Sequence, residues 1–145
     1  MSLLNRLIVA TLPLVPKRII KAVAQRYIAG PLLDDAVRVS KKLMSSGATS
    51  TIDVLGEFVT SRDRAVYETE SSSHVLDAIH EHSLASYLSV KPSSLGLDVD
   101  EEFAYQNIWG LVAKGREKGL FVRMDMENTP YTDRTLNFYR RPVSY

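Results

Sequence analysis

Three charged residues each lie in or just after a short run of residues typical of a β-strand. Glu57 follows the run TSTIDVLG, Lys91 ends the run YLSVK, and Asp125 lies within FVRMDME. A lysine beside a carboxylate can bind a substrate carboxylate, form a Schiff base, or set the ionisation of a general base. Lys91 and Asp125 can equally form a structural ion pair that fills polar interior space. The residues alone leave these alternatives open.

Strands and helices alternate along the part of the chain that carries these residues. β-Branched and aromatic residues dominate the runs, which predict strands over residues 50–55, 87–91 and 120–126. A helix is predicted after each strand, ending near residue 82, near residue 119 and before Pro142. The predicted starting residues of the three helices are Thr60 or Ser61, Asp98 or Asp100, and Thr132 or Asp133. Strands separated by single helices are expected to pair in parallel.

Helical periodicity predicts which side chains of these helices face the core. The predicted inward residues are Ala65, Val75, Leu76 and Ile79 in the first helix and Ala104, Ile108, Leu111 and Val112 in the second. Tyr105 and Trp109 are four residues apart on one helical face, which favours packing against a neighbouring helix over ligand stacking.

Alternation along the strands separates an apolar face from a polar one. The apolar set is Ile52, Val54, Leu88, Val90, Val122 and Met124. The opposite set is Thr51, Asp53, Tyr87, Ser89, Lys91, Phe121, Arg123 and Asp125. A parallel sheet covered on both faces is normally apolar on both, so this polar face is expected to line a wet or charged interior near the carboxyl ends of the strands.

The chain is predicted to be a single domain of 145 residues with helices before the first strand. Residues 1–47 are expected to be N-terminal helices, residues 48–140 three βα units, and residues 141–145 a tail. One helix is predicted over residues 17–29. Another opens at Pro31, has its apolar face at Leu33, Ala36, Val37, Leu43 and Met44, and ends before Gly47.

Composition excludes several classes of protein. Lys and Arg number 18 against 17 Asp and Glu, so no basic field favours nucleic acid, and the absence of cysteine excludes disulfides and thiolate metal sites. His80 and His82 are two residues apart, which places them on different helical faces, and no metal site is expected. The longest apolar run, residues 7–15, is broken by Pro13 and is too short to span a membrane, but suits an amphipathic helix on the domain or on a membrane surface.

The chain resembles the flavin-dependent proline dehydrogenases, which are (β/α)8 enzymes that oxidise L-proline to Δ1-pyrroline-5-carboxylate. The resemblance is carried by IDVLGE at residues 52–57, YLSVKPSSLGLD at residues 87–98 and FVRMDMENT at residues 121–129, with RYIAG at residues 26–30 before them. It implies an α/β fold, a partial (β/α)8 TIM-type barrel of about three parallel βα units preceded by N-terminal helices.

The resemblance implies roles for four residues. Asp125 corresponds to the family's active-site aspartate, and Met126 to a residue that contacts the flavin. Lys91 corresponds to a lysine near the substrate carboxylate, with Asp125 helping to fix it. Glu57 resembles a glutamate that pairs with an arginine from the far end of the barrel and gates the site. The implied cofactor is FAD, with L-proline as substrate in proline catabolism to glutamate and a quinone as electron acceptor.

The resemblance covers about the N-terminal half of the family's barrel, so the chain is expected to be a fragment of it. Two alternatives remain: a non-catalytic half-barrel that acts only through association, as a homo-oligomer or with a complementing C-terminal half, and a TIM-barrel lyase that forms a Schiff base at Lys91. The expected location is cytoplasmic, with peripheral contact to the inner face of the membrane.

Overall fold

The computed structural model describes residues 29–141 and divides into two compact units, whose boundary in the sequence falls between Val39 and Ser40. The elements of the described residues are α1 (Leu33–Ser45), β1 (Ser50–Asp53), α2 (Arg62–Glu81), β2 (Ser86–Val90), α3 (Glu101–Glu117), β3 (Val122–Met124) and α4 (Thr129–Arg140). The helices predicted before residue 29 and residues 142–145 of the tail lie outside the described residues. The predicted divisions at residues 47 and 140 therefore stay predictions.

The first unit is described over residues 29–39, which contain the start of α1. Asp34 and Asp35 lie in the first turn, where a negative charge interacts favourably with the free N–H groups at the start of a helix. Arg38 donates hydrogen bonds to a carboxylate oxygen of Asp35 at 3.0 Å and to the Ala29 carbonyl at 3.2 Å. The helix begins after Pro31, as predicted.

The end of α1 lies in the second unit. Gly47 has φ +79°, and its N–H donates to the Met44 carbonyl at 2.9 Å, which is a left-handed turn that glycine adopts without steric cost. Leu43 and Met44, which belong to the predicted apolar face of this helix, are both 38% exposed. Ser40 is buried, and its hydroxyl accepts a hydrogen bond of 3.1 Å from the Ser50 hydroxyl at the start of β1.

β1, β2 and β3 form a parallel sheet with β2 in the middle. Ile52 pairs with Leu88, and Leu88 with Val122, so members of the predicted apolar set lie side by side. Leu88 is fully buried, and Ser89 and Val90 are 1% and 2% exposed, so the middle strand is covered on both faces. The parallel βα order confirms the predicted class, a partial barrel.

The strands differ from their predicted bounds at the ends. β1 stops at Asp53 because a tight turn follows, in which the Gly56 N–H donates to the Val54 carbonyl at 2.9 Å. Leu55, predicted to end this strand, is 88% exposed. β2 begins and ends one residue earlier than predicted. β3 keeps only three of the predicted residues, although the Asp125 N–H still donates to the Val90 carbonyl at 2.9 Å.

Helices α2 and α3 pack on the sheet with the side chains that periodicity predicts. Ala65, Leu76, Ile79 and Ala104 are fully buried, and Val75, Ile108 and Leu111 are nearly so, whereas Val112 is only half-buried. α3 approaches β3 closely at Gly115, where an added Cβ would lie 2.7 Å from a methyl group of Val122. Among the described residues, no helix is both long enough and apolar enough to cross a bilayer.

α4 begins at Thr129, three residues before the predicted start. Pro130 lies in its first turn, where a residue without an N–H is tolerated because helical N–H groups there have no partner within the helix. The ring of Phe138 packs edge-on against Tyr105 of α3, with ring centres 5.9 Å apart. The predicted packing of Tyr105 against a neighbouring helix is therefore confirmed.

A groove of about 610 Å³, called the edge groove below, lies between α3, β3 and α4. Its lining is mostly apolar and includes Trp109, Phe121, Met124, Met126 and Leu136. The outer edge of β3 has no partner strand within residues 29–141. This side of the sheet therefore combines an unpaired strand edge with apolar surface.

Candidate functional site

Lys91 lies at the carboxyl end of the middle strand, between acidic groups from its neighbours. Its ammonium donates a short hydrogen bond to Asp53, the last residue of β1. The same nitrogen is 3.8 Å from a carboxylate oxygen of Glu57, in the loop after β1. Lys91 and Asp53 meet because Asp53 pairs in register with Ser89, which places both side chains on the same face of the sheet.

The acidic surroundings keep Lys91 charged. Burial alone lowers the pKa of the amine, but the hydrogen bond to Asp53 and the charges of Asp53, Glu57 and Asp125 together raise the pKa above its usual value. Lys91 is therefore a cation at neutral pH. A fixed cation at this place can bind an anionic group, whereas attack on a carbonyl needs the neutral amine.

Asp125 lies near this cluster but is not the direct partner of Lys91. A carboxylate oxygen of Asp125 accepts a hydrogen bond of 2.9 Å from the guanidinium of Arg123, two residues earlier on the same strand face. The structural ion pair between Lys91 and Asp125 that the residues left open is therefore not formed, but the charge of Asp125 still acts on the lysine. Arg123 bonds one carboxylate oxygen of Asp125, and Asp53 approaches the lysine more closely, so Asp125 acts on Lys91 only through its charge.

The two other predicted site residues are more exposed. Glu57 has half of its side chain exposed, and among the described residues its ion pair is with Lys91. Met126 is 56% exposed just beyond β3, and it also lines the edge groove. The four predicted residues thus lie at the carboxyl ends of the three strands, with Lys91, Glu57 and Asp125 close enough to interact electrostatically.

Asp53 belongs to the polar face predicted for the strands but is not one of the predicted site residues. The signal was present, because Asp53 and Lys91 belong to the same alternating set on adjacent predicted strands. Ser89 belongs to that set too, and its hydroxyl is buried without a hydrogen-bond partner among the described residues. A buried hydroxyl in a native protein normally has a hydrogen-bond partner, such as an ordered water.

Glu68 of α2 was not among the predicted residues, although helical periodicity places it on the same face as Ala65 and Leu76. Its side chain is 1% exposed and forms an ion pair of 2.5 Å with Arg64, one turn earlier. The carboxylate lies against Gly56, where an added Cβ would be 2.6 Å from a carboxylate oxygen. Glu68 therefore packs directly beneath the loop that carries Glu57.

Metal ligation has no candidate in the described residues: no three His, Asp or Glu side chains within 29–141 are grouped so that they could hold a metal ion. Of the two histidines weighed in the sequence, His82 lies 3.3 Å from the ammonium of Lys41.

Comparisons with known proteins give relatives of one kind. Proline dehydrogenase 1 of Bacillus subtilis is 36% identical over 118 residues, which are 81% of this chain and 39% of that protein. Proline dehydrogenase of Deinococcus radiodurans is 30% identical over 123 residues, covering 83% of this chain and 40% of that protein. The chain thus spans about two fifths of the length of the curated relatives it matches. No protein-family model matches the chain.

A solved structure shares the fold. The crystal structure of proline utilization A from Bdellovibrio bacteriovorus, inactivated by N-propargylglycine, superposes with a TM-score of 0.74 at 23% identity. The match covers 85% of this chain and 15% of that one.

Proposed function

This chain belongs by sequence to the proline dehydrogenase family, and we propose that it carries the first part of a site that oxidises L-proline to Δ1-pyrroline-5-carboxylate in proline catabolism. The chain spans about two fifths of the length of the curated members that it matches. The observation that carries the proposal is the Lys91 cation at the carboxyl ends of three parallel strands. In (β/α) proteins this end of the sheet is where sites are built from several strands.

Lys91 is the residue proposed to bind the carboxylate of proline. Its raised pKa keeps the charge in place, and its side chain is only 17% exposed, so an ion pair with a substrate is screened little by water. Asp53 holds the ammonium from one side and leaves its other N–H donors for the substrate. A carboxylate bound there would be positioned relative to the ring atoms that react.

Asp125 is proposed as the catalytic carboxylate. Its side chain is 28% exposed, and Arg123 bonds one of its two oxygens, so the other oxygen remains available to the substrate amine. Glu57 is proposed as the gating residue, because half of its side chain is exposed and its ion pair with Lys91 at 3.8 Å is loose enough to exchange for another partner.

The donor set suits a flavin, and we assign FAD as the cofactor. The site combines two cations, Lys91 and Arg123, with the Ser89 hydroxyl, which has no partner within residues 29–141, and with the exposed thioether of Met126. This set fits a flat ring system that has one polar edge. Met126 and Lys91 would hold the ring. When bound, a flavin supplies the hydride acceptor that no side chain of this chain can provide.

Electrons from such a site would pass to a quinone. That acceptor gives the N-terminal apolar run a role, as a peripheral contact with the inner face of the membrane from the cytoplasm. Both the acceptor and the location belong to this proposal.

Association is the second candidate function, favoured by the edge groove and the unpaired edge of β3. In that case the chain acts only together with the remaining part of the barrel, or with a second copy. The Schiff-base lyase is disfavoured, because the raised pKa of Lys91 opposes formation of the neutral amine.

The test is to purify the chain with FAD, alone and mixed with a polypeptide that spans the remaining three fifths of the Bacillus subtilis relative. Flavin retained after gel filtration and proline-dependent dye reduction are both measured. We expect activity in the mixture, with Lys91→Met and Asp125→Ala each reducing kcat/KM by about 10²-fold or more. Lys118→Met is the control, since Lys118 is bonded to Asp77 on the helical side, away from the site.

A mixture that elutes as one folded species, retains flavin and shows no proline-dependent reduction would contradict the proposed oxidation. A folded complex without flavin and without activity would instead favour the association function.

A further inference from the structure

Ser93 connects the three loops that follow the strands. It is fully buried, and both its N–H and its hydroxyl donate hydrogen bonds to the carboxylate of Glu127, the first at 2.9 Å. The hydroxyl oxygen also accepts a bond of 3.3 Å from the Phe58 N–H. The Ser93 carbonyl accepts one of 3.1 Å from the Val59 N–H. These four residues, called the loop clamp below, join the loops after β1, β2 and β3.

The loop clamp holds a strained residue. Phe58 has φ +53°, a left-handed conformation that is costly for a bulky side chain and persists only where its surroundings fix it. The Phe58 N–H is bonded to Ser93, and the Phe58 ring packs against Tyr131 of α4, with ring centres 5.5 Å apart. The loop after β2 and helix α4 thus supply the constraints on the loop after β1, and Glu127 in the loop after β3 acts through Ser93.

The strained residue directly follows Glu57. The direction in which Glu57 leaves the backbone therefore depends on the φ angle of its neighbour. Lys91 is two residues before Ser93, and Met126 directly precedes Glu127. The buried Ser93 hydroxyl thus bonds to the residues that directly follow Glu57 and Met126, and Ser93 itself is in the loop that follows Lys91.

We propose that Ser93 and Glu127 are positioning residues, which hold Phe58 in its left-handed conformation and thereby keep the Glu57 carboxylate beside the Lys91 ammonium. The inference rests on the proposed function only in its choice of which residues matter. The contact that it explains, 3.8 Å between Glu57 and Lys91, is a property of the chain itself.

The pKa of Lys91 measures this positioning without substrate or cofactor. The acidic groups that raise it are Asp53, Glu57 and Asp125, and Glu127 does not contribute directly. Loss of the loop clamp therefore changes the pKa of Lys91 only by moving the lysine or one of these three groups, and a double variant with Glu57→Gln isolates the part that is due to Glu57. The pKa is followed by NMR titration of the Lys91 side chain in the full chain, in the wild type and in Glu57→Gln, Ser93→Ala, Glu127→Ala and Ser94→Ala.

Ser94→Ala is the matched control. Ser94 is a buried serine of the same loop, but its hydroxyl bonds to the Lys91 carbonyl at 2.7 Å, within its own turn. We expect Glu57→Gln to lower the pKa of Lys91, Ser93→Ala to lower it by at least half as much, and Ser94→Ala to leave it unchanged. Adding Ser93→Ala to Glu57→Gln should cause no further lowering, because both act through the same contact.

The proposal is overturned if the folded Ser93→Ala chain titrates like the wild type, or if Glu57→Gln leaves the lysine unchanged. If Ser93→Ala does not fold, Glu127→Ala is the deciding variant, and the same lowering of the Lys91 pKa is expected. This substitution removes the carboxylate to which Ser93 bonds, at a less buried position. Because no step needs flavin or proline, this result is independent of whether the chain supports proline oxidation.

Discussion

At the level of single residues, the Lys91 cation at the end of β2 is held by an ion pair with Asp53. The Lys91 side chain is 17% exposed and that of Asp53 is 25% exposed, so their ion pair is neither a surface pair nor a fully buried one. Removing one partner leaves the other partly desolvated without compensation.

We expect Asp53→Asn to lower the free energy of unfolding at neutral pH by about 1–2 kcal/mol, between the values typical of exposed and buried pairs. The folded chain raises the pKa of Lys91 above 10.5, so this stabilisation is full below that pH and is lost as the pH rises through the folded pKa. Urea unfolding of wild type and variant at neutral and strongly alkaline pH measures both effects. The exposed Asp133→Asn is the control, and a difference that persists at alkaline pH would contradict the assignment.

Two glycines with opposite surroundings give a second residue-level prediction. An added Cβ at Gly56 would lie 2.6 Å from the buried carboxylate of Glu68, whereas at Gly110, inside α3, it would meet nothing within 4 Å. We expect Gly56→Ala to destabilise the chain by about 1–3 kcal/mol through overpacking. Gly110→Ala should stabilise it by about 0.5–1 kcal/mol through helix propensity.

The measurement for both glycines is the free energy of unfolding in urea. Equal effects of the two substitutions would show that Glu68 does not press against the loop after β1.

At the scale of elements, the helices that follow the strands differ in how they begin. At α3 the Phe103 N–H donates to the Asp100 side chain at 2.7 Å, whereas at α4 Asn128 occupies the cap position without a side-chain hydrogen bond. A capping carboxylate satisfies an N–H group that the helix cannot satisfy itself.

We therefore expect Asp100→Ala to lower the free energy of unfolding by about 1 kcal/mol, and Asn128→Ala to lower it by only about a few tenths of a kcal/mol. Thermal and urea unfolding of the two variants provide the comparison. If Asn128→Ala lowered the free energy of unfolding more than Asp100→Ala, the capping hydrogen bond of Asp100 would not be the source of the stabilisation.

In the molecule as a whole, the edge groove places exposed apolar side chains beside the edge of a strand. Phe121 and Met126 are 60% and 56% exposed there, beside a strand edge that is unpaired in the described part of the chain. Unpaired edges with apolar surroundings favour pairing with another chain.

We expect the chain to associate at high concentration and Met124→Lys, in the groove, to weaken that association at least about tenfold, because the interface would bury a charge. Sedimentation velocity over a range of concentrations gives the association constants. Val66→Lys, on α2 and outside the groove, is the control. Equal effects of both variants would place the contact elsewhere.

Much of the architecture follows from local patterns. The cap at Ser61, the buried positions Leu76 and Ile79, and the parallel order of three βα units could be predicted, because caps and periodicities of 3.6 and 2 act within a few residues. The placement of Lys91, Glu57 and Asp125 at strand ends followed from the same alternation. The start of α4 was missed by three residues because Pro130 allows a helix to begin earlier than the last cap signal.

Local sequence preferences thus account for the set of elements and for the charged residues at their ends, whereas the contacts among those residues depend on how the elements pack. Asp53 rather than Asp125 holds Lys91, since the register between strands and the reach of Arg123 set the pairing. Glu68 lies beneath Gly56, and Ser93 joins three loops. These contacts link residues far apart in sequence, and no local preference encodes a distance that depends on the packing of the whole sheet.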